Sequence, residues 1–151
     1  MTTSDSRSEP PPIPEEDRLA ILQALSEYQR GFSGHRPEVA QCSYHKPCSF
    51  INEQGVTLLA SRAQIEAFLS SIIKDLQARE WSHSEWLEIF IRPMDEDSAI
   101  VSTVAVRYKT DESELERAGG TYAFRKTEDG WKIAMTLSHP PERVLQFRDE
   151  K

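Results

Sequence analysis

The chain has 151 residues, with 18 basic and 25 acidic side chains, so its net charge is −7 at neutral pH. This length is typical of one domain with a substantial core. An acidic chain without a block of Lys or Arg argues against nucleic acid or an anionic membrane as a partner. Its apolar runs are far shorter than a bilayer span, and the polar residues 1–9 do not form a secretory signal.

The first third of the chain predicts an irregular lead-in followed by a helix. Residues 1–14 are rich in Ser, Pro and charge, so we expect a disordered or polyproline segment there. A helix should begin after Pro14, because acidic side chains occupy its first turn. Its apolar stripe has helical spacing and consists of Leu19, Leu22, Leu25, Tyr28 and Phe32.

The middle of the chain predicts two short strands and a second helix. Residues 44–51 form the first strand, and Pro47 restricts it to a sheet edge or a bulge. Residues 56–60 form the second. Ser61 and Gln64 then have the spacing of a capping box, which begins a helix with apolar residues at Ile65 and Leu69.

The second half of the chain predicts four long antiparallel strands at 80–92, 98–109, 115–127 and 131–138. Asp129-Gly130 is typical of a two-residue turn between the last two strands. With that turn, the expected facing pairs are Glu128 with Trp131, Lys126 with Ile133, Phe124 with Met135, and Tyr122 with Leu137.

Helices followed by a long meander predict the α+β class, with a curved antiparallel sheet wrapped around two or three N-terminal helices. The four long strands would be joined by one or two short ones. We expect one domain at 15–138, with a tail at 139–151. The pattern also leaves the second sheet face partly apolar, which predicts a homodimer through the sheet.

Two stretches resemble the nuclear-transport-factor-2-like superfamily, which includes the SnoaL-like proteins and has a cystatin-like α+β cone. They are YAFRKTEDGWKI at 122–133 and SRAQIEAFL at 61–69. The resemblance implies a pocket between the concave sheet and the helices. It covers isomerases, cyclases, dehydratases and binding or dimerising modules, whose enzymes use an Asp or His base and often a Tyr donor. Both stretches are fold signatures, so they leave the activity open.

The expected pocket strands offer no well-placed Asp, which argues against isomerase or cyclase chemistry. Several aromatic residues could instead line an apolar pocket, although any single one of them is more often a core residue with a satisfied hydroxyl. The candidate ligand-binding residues are Tyr28, Tyr44, Trp86, Tyr108 and Tyr122.

His83 and His45 are the candidate bases. The expected strand pairing places His83 on one face with Glu85 and Arg107, where it would be either a tuned acid or base or a solvated polar patch.

Cys42, His45 and Cys48 are spaced by three, but a closed zinc site needs four ligands, so we predict no metal and no cofactor. Two cysteines do not make a disulfide framework, and we expect free thiols and a cytoplasmic location.

Three functions remain open at this point. The first is a homodimer that binds a small apolar molecule. The second is an enzyme of the isomerase or dehydratase type, with His83 or His45 as the base and Tyr28 or Tyr122 as the hydrogen-bond donor. The third is a structural dimer with no ligand.

Overall fold

The computed structural model describes residues 13–147. The predicted lead-in at 1–14 lies outside these residues except for its last two, and 148–151 of the predicted tail also lie outside them. The described chain forms α1 (Glu15–Ser33), α2 (Pro37–Ala40), β1 (Tyr44–Asn52), β2 (Gly55–Leu59), α3 (Arg62–Gln77), β3 (Trp81–Asp95), β4 (Ser98–Lys109), β5 (Glu114–Thr127) and β6 (Gly130–His139).

The six strands form one curved, unclosed sheet in the order β2-β1-β6-β5-β4-β3. Neighbouring strands are antiparallel except for β1 and β6, which run parallel. One sheet face packs on the helices, and we call it the inner face; the opposite face is the outer face. The α+β class and the meander predicted from the sequence are confirmed.

Helix α3 begins where its capping residues predict. The Gln64 backbone N–H donates to Ser61 Oγ at 3.3 Å, and the Gln64 side chain accepts from the Ala60 backbone N–H at 2.6 Å. The helix then buries Ile65 and Leu69 completely against the core. Capping and apolar spacing therefore agree on both the start and the buried face of this element.

The register predicted for the β5–β6 hairpin is wrong. The turn residues are Glu128 and Asp129, Lys126 pairs with Trp131, and Phe124 pairs with Ile133. Thr127 explains the difference, because its hydroxyl accepts from the Asp129 N–H at 3.1 Å and donates to the carbonyl of its strand partner.

A bulge between Ile133 and Met135 changes the rest of the hairpin. The extra residue places Met135 opposite Ala123 on the outer face, away from Phe124, and Leu137 follows it there. Phe124 and Ile133 do share the buried inner face. The same bulge turns Thr136 inward, which matters for the cavity described below.

A second bulge, at Leu87 in β3, overturns the predicted faces of the β3–β4 pair. Trp86 pairs with Ala105 on the inner face, whereas Phe90 pairs with Ser102 on the outer face. The predicted cluster of His83, Glu85 and Arg107 is therefore wrong. His83 and Glu85 lie on the outer face, whereas Arg107, opposite Ser84, lies on the inner face.

A directional hydrogen-bond chain holds the segment after β6 on the outer face. The Leu145 N–H donates to Ser102 Oγ at 2.9 Å, and Ser102 Oγ lies 2.7 Å from Thr121 Oγ1. Thr121 Oγ1 lies 2.7 Å from His139 Nε2, and His139 Nδ1 lies 2.8 Å from the Pro140 carbonyl. That carbonyl can only accept, so Nδ1 carries the proton in the neutral ring and Thr121 donates to Nε2.

Replacing Thr121 with valine, which has a similar shape, should lower the free energy of unfolding by about 1–3 kcal/mol. The substitution leaves the Ser102 hydroxyl and His139 Nε2 without this partner, and Ser102 is fully buried. Urea unfolding measures the effect. Thr57→Val in β2, at a half-buried threonine, is the control and should change stability by no more than about 0.5 kcal/mol. Equal effects of the two substitutions would contradict the stabilising role of this hydrogen-bond chain.

Candidate functional site

A cavity of about 240 Å³ lies between the inner sheet face and helices α1 and α3. The strands supply one wall and the helices supply the other. The residues that line it are Tyr28, Gln29, Phe32, Phe50, Ile51, Asn52, Phe68, Ile72, Ser84, Trp86, Thr103, Ala105, Arg107, Ala118, Gly119, Gly120, Tyr122, Thr136 and Ser138.

Three aromatic rings form a continuous wall of this cavity. Trp86 lies between Tyr28 and Tyr122, with ring centroids 6.4 Å from each. The Trp86 indole N–H donates to the Leu25 carbonyl at 3.1 Å, which fixes the ring against α1. A rigid aromatic wall of this kind suits an apolar or aromatic ligand.

Several hydroxyl groups lie among the polar side chains that line the cavity. Burial raises the pKa of both Tyr28 and Tyr122, so these phenols remain neutral hydrogen-bond donors at physiological pH. Thr136 is only 8% exposed, and its hydroxyl has no hydrogen-bond partner within residues 13–147. A buried unpaired hydroxyl is costly, so it favours a ligand atom or a water molecule beside Thr136.

Glycine at position 120 keeps space open beside the Tyr122 phenol. A Cβ atom at Gly120 would lie 3.1 Å from the Tyr122 hydroxyl oxygen and 3.4 Å from the ring carbon that bears it. The neighbouring Thr103 hydroxyl is already used, because it donates to the Gly120 carbonyl at 2.8 Å. The absence of a side chain thus preserves the volume and leaves the phenol accessible.

The open end of the cavity carries the guanidinium of Arg107. Arg107 Nη1 donates to Glu116 at 2.6 Å, and Arg79 donates to the same carboxylate at 2.8 and 3.1 Å. Hydrogen bonds from Arg79 lower the pKa of Glu116, burial opposes them, and Arg107 adds to the lowering. Glu116 is therefore ionised at neutral pH, and these three groups together carry one net positive charge.

Residues 16–141 match the model of a family described as NTF2-like protein, DUF6841. The chain belongs to this NTF2-like family. Among curated proteins, none matches the chain in sequence.

Solved structures share the NTF2-like fold with this chain at low sequence identity. A domain of unknown function with a cystatin-like fold from Nostoc punctiforme is 21% identical with a TM-score of 0.69, and the match covers 83% of this chain and 77% of that one. An NTF2-like protein from Novosphingobium aromaticivorans is 16% identical with a TM-score of 0.71, covering 87% and 90%. A protein named as a dehydratase from Streptomyces avermitilis is 13% identical with a TM-score of 0.63, covering 84% and 97%. At these identities the likeness shows the fold alone.

The NTF2-like cavity brings together three of the five aromatic residues singled out from the sequence, Tyr28, Trp86 and Tyr122. Tyr44 lies behind the wall, with its ring 5.5 Å from that of Tyr28, and burial raises its pKa well above the usual range. Tyr108 lies on the outer face, where its ring stacks on that of His83 with the ring centroids 5.1 Å apart. Tyr108 therefore lies away from the cavity.

None of the four histidines lines the cavity of this NTF2-like protein. His83 lies on the outer face, where its Nε2 atom is 3.8 Å from Glu85 Oε2. His45 Nδ1 donates to the Pro47 carbonyl at 2.9 Å on the surface of β1. His35, between α1 and α2, bonds to the Ser82 carbonyl, and His139, at the end of β6, bonds to the Pro140 carbonyl. The His–Tyr pair that the enzyme hypothesis requires inside the cavity is not formed by these side chains.

The described residues do not gather metal ligands. Within 13–147, no group of three His, Cys, Asp or Glu side chains is placed to hold a metal ion. Cys42 is exposed, whereas Cys48 is buried, and burial raises the pKa of Cys48 to about 11. A thiol with this pKa stays protonated and is a poor ligand or nucleophile at neutral pH.

None of the helices within residues 13–147 combines the length and the apolar character that a membrane span requires.

Sequence reasoning missed Thr136, Gly120 and Arg107 as cavity residues. The signal for glycine was available, because Gly119-Gly120 interrupts a predicted strand, and a glycine inside a strand often marks a close approach. Thr136 could not be assigned to the inner face without knowledge of the bulge after Ile133, whereas Arg107 follows the regular alternation of β4 from Val101.

A second depression of about 570 Å³ lies at the start of α1, near the β3–β4 turn. Its buried carboxylate, Asp17, accepts from the Trp131 indole N–H at 3.2 Å and from Lys126 Nζ at 3.1 Å. Burial acts to raise the pKa of Asp17, but these two donors outweigh it, so the pKa lies below the ordinary value of 3.8. The central polar groups here satisfy one another, and we regard the interaction as structural.

Asp17→Asn should destabilise the protein at pH 7, and the difference from wild type should shrink in acid. A lowered folded-state pKa gives stability that is complete above the unfolded value and is lost as the pH falls through the folded value. Urea unfolding at pH 7 and at pH 3 or below measures the gap, which is the difference in unfolding free energy between wild type and Asp17→Asn. Asp75→Asn on the exposed face of α3 is the control, and it should change stability at pH 7 by less than about 0.5 kcal/mol. A gap that grows in acid would contradict this role of Asp17.

Proposed function

We propose that this NTF2-like protein binds a small, largely apolar molecule in the inner cavity and does not catalyse proton transfer there. One observation carries the proposal. An aromatic wall of Tyr28, Trp86 and Tyr122 borders a space of about 240 Å³, and the lining residues within 13–147 include no carboxylate and no imidazole. Such a site offers apolar contact, hydrogen bonds and one cationic side chain, Arg107, but no general base.

The polar groups of the cavity favour a ligand that carries oxygen. The phenols of Tyr28 and Tyr122 can donate, and the unpaired Thr136 hydroxyl can donate or accept. A hydroxyl or carbonyl group on the ligand would satisfy these atoms. A hydrocarbon would leave the Thr136 hydroxyl as unpaired as it is in the free protein, whereas an oxygen atom of a ligand could gain a hydrogen bond there.

The enzyme alternative rests on the same phenols, which could polarise a carbonyl group, and on a structural neighbour that is named as a dehydratase. Its weakness is the base. His83 and His45, the candidates from the sequence, both lie outside the cavity, so this function would require a base supplied by the substrate or by another molecule.

Thermal unfolding with naphthalen-2-ylmethanol tests the proposed function. This two-ring alcohol combines an aromatic body with one hydroxyl group. It should raise the unfolding temperature in a concentration-dependent way, because a ligand at about 100 times its Kd stabilises the native state by about 2.7 kcal/mol. Pyren-1-ylmethanol, with four fused rings, is the size control and should produce no comparable shift. No shift with the smaller alcohol would overturn the proposal.

We also propose that the protein forms a homodimer through the outer sheet face. Cross-strand neighbours place an apolar patch at the β2 end of this face, where Leu58 is 77% exposed and Val56 is 65% exposed. Val56 lies opposite Ile51, which in turn lies opposite Leu137. A continuous patch of this kind is unfavourable in water. Analytical ultracentrifugation should show a wild-type dimer, and Leu58→Lys should weaken the association of its subunits. A wild-type protein that sediments as a monomer would contradict the proposed dimer.

A further inference from the structure

The guanidinium of Arg107 faces two spaces at once. It lines the inner cavity, and it also lines the groove at the cavity's open end, together with Asn52, Glu116 and Ser138. Its side chain is 26% exposed. Among residues 13–147, Arg107 is the one charged residue that lines the inner cavity.

The hydrogen-bonding capacity of Arg107 is mostly unused. A guanidinium offers five N–H donors, yet the Arg107 side chain makes one hydrogen bond within residues 13–147, to Glu116. Glu116 is also held by Arg79, so its negative charge is shared between two cations. An incoming anion would therefore meet a net positive charge and free donors in a fixed geometry.

The spacing along β4 connects Arg107 to the polar groups inside. Thr103, beside the Tyr122 phenol, and Arg107 both lie on the inner face, four residues apart, which is roughly 13 Å along the strand. Arg107 lines the same cavity as Trp86 and Tyr122. We therefore expect that one small two-ring molecule contacts the aromatic wall and the guanidinium at the same time.

We propose that the ligand is an aromatic or similarly apolar carboxylate whose anionic group pairs with Arg107 at the cavity mouth. This inference rests on the proposed function, because it names the chemical class of the molecule that the cavity binds. The apolar body lies against Trp86 and Tyr122, and the carboxylate accepts hydrogen bonds from the free N–H groups of Arg107. Selectivity for an anion then comes from one side chain.

Two probes of the same shape test this inference by calorimetric titration. Naphthalene-2-carboxylate carries the anion, and naphthalen-2-ylmethanol is its neutral counterpart. Wild-type protein should bind the carboxylate at least about tenfold more tightly, since hydrogen bonds to charged groups are stronger than neutral ones. Raising the salt concentration should lower the affinity for the carboxylate and leave the affinity for the alcohol unchanged.

Arg107→Gln should remove most of the preference, so that the two probes bind within about threefold of each other. Arg125→Gln is the matched control. It removes the same charge from an exposed site on the outer face and should keep the preference. Far-UV circular dichroism checks that both variants fold, and the comparison of the two probes on wild type tests the inference without any variant.

The outcomes separate this inference from the proposed function. Equal binding of the two probes to wild type, or a preference that survives in folded Arg107→Gln protein, would overturn the carboxylate assignment and leave the apolar binding site in place. Failure of naphthalen-2-ylmethanol to bind would overturn the proposed function as well, whatever the carboxylate does.

Discussion

Ala118→Leu should reduce the affinity for naphthalen-2-ylmethanol by about a hundredfold, a loss of about 2.7 kcal/mol of binding free energy. Ala118 lies on the inner face of β5 opposite Ala105, and both residues line the cavity. A leucine side chain would extend into the space that the ligand occupies. Because no side chain of residues 13–147 fills that space, the stability of the fold should change by less than the binding free energy.

Ala123→Leu provides the matched control in the same strand. Ala123 lies on the outer face and is half-buried, so a larger side chain there does not enter the cavity. Calorimetric titration should show wild-type affinity for this variant. Undiminished binding to a folded Ala118→Leu protein would place the ligand elsewhere and contradict the cavity assignment.

Trp81→Ala should have the largest effect on stability, a loss of about 3–5 kcal/mol of unfolding free energy. Trp81 is 1% exposed, and its ring centroid lies 5.3 Å from Phe32 and 5.0 Å from His35. Its indole N–H donates to Ser84 Oγ at 3.0 Å. The side chain therefore joins α1 to the beginning of β3, and its removal leaves a void and an unpaired hydroxyl.

Two controls separate the contributions of apolar contact, hydrogen bonding and burial to this predicted loss. Trp81→Phe keeps most of the apolar contact and loses the hydrogen bond, so it should cost clearly less than the alanine variant. Leu19→Ala truncates a side chain that is 52% exposed on α1, and it should cost about 1 kcal/mol or less. Urea unfolding gives all three values. A Trp81→Ala protein as stable as Leu19→Ala would contradict the placement of Trp81 in the core.

The elements of the fold were predictable because their signals are local. The capping residues and apolar spacing of α3, and the long β-branched runs of the meander, act within a few residues of one another. The parallel pairing of β1 with β6 was not predicted, because it joins segments about 90 residues apart whose contact is decided by the whole sheet.

The site was predictable only in part because two bulges decide which side chains face inward. Tyr28 and Tyr122 were identified as pocket residues because large aromatic side chains favour a buried face. The bulge at Leu87 separated His83 from Arg107, and the bulge after Ile133 exchanged Met135 for Thr136 at the cavity. Each bulge shifts the alternation by one residue, which reverses the faces beyond it. Periodicity in the sequence cannot show such a shift.

The most direct test of ligand binding in the inner cavity is a measurement of intermolecular nuclear Overhauser effects between isotope-labelled protein and naphthalen-2-ylmethanol. We expect cross-peaks from the naphthyl protons to the Trp86 indole and the Tyr122 ring. Cross-peaks confined to exposed side chains such as Leu58, or none at saturating alcohol, would contradict binding in this cavity.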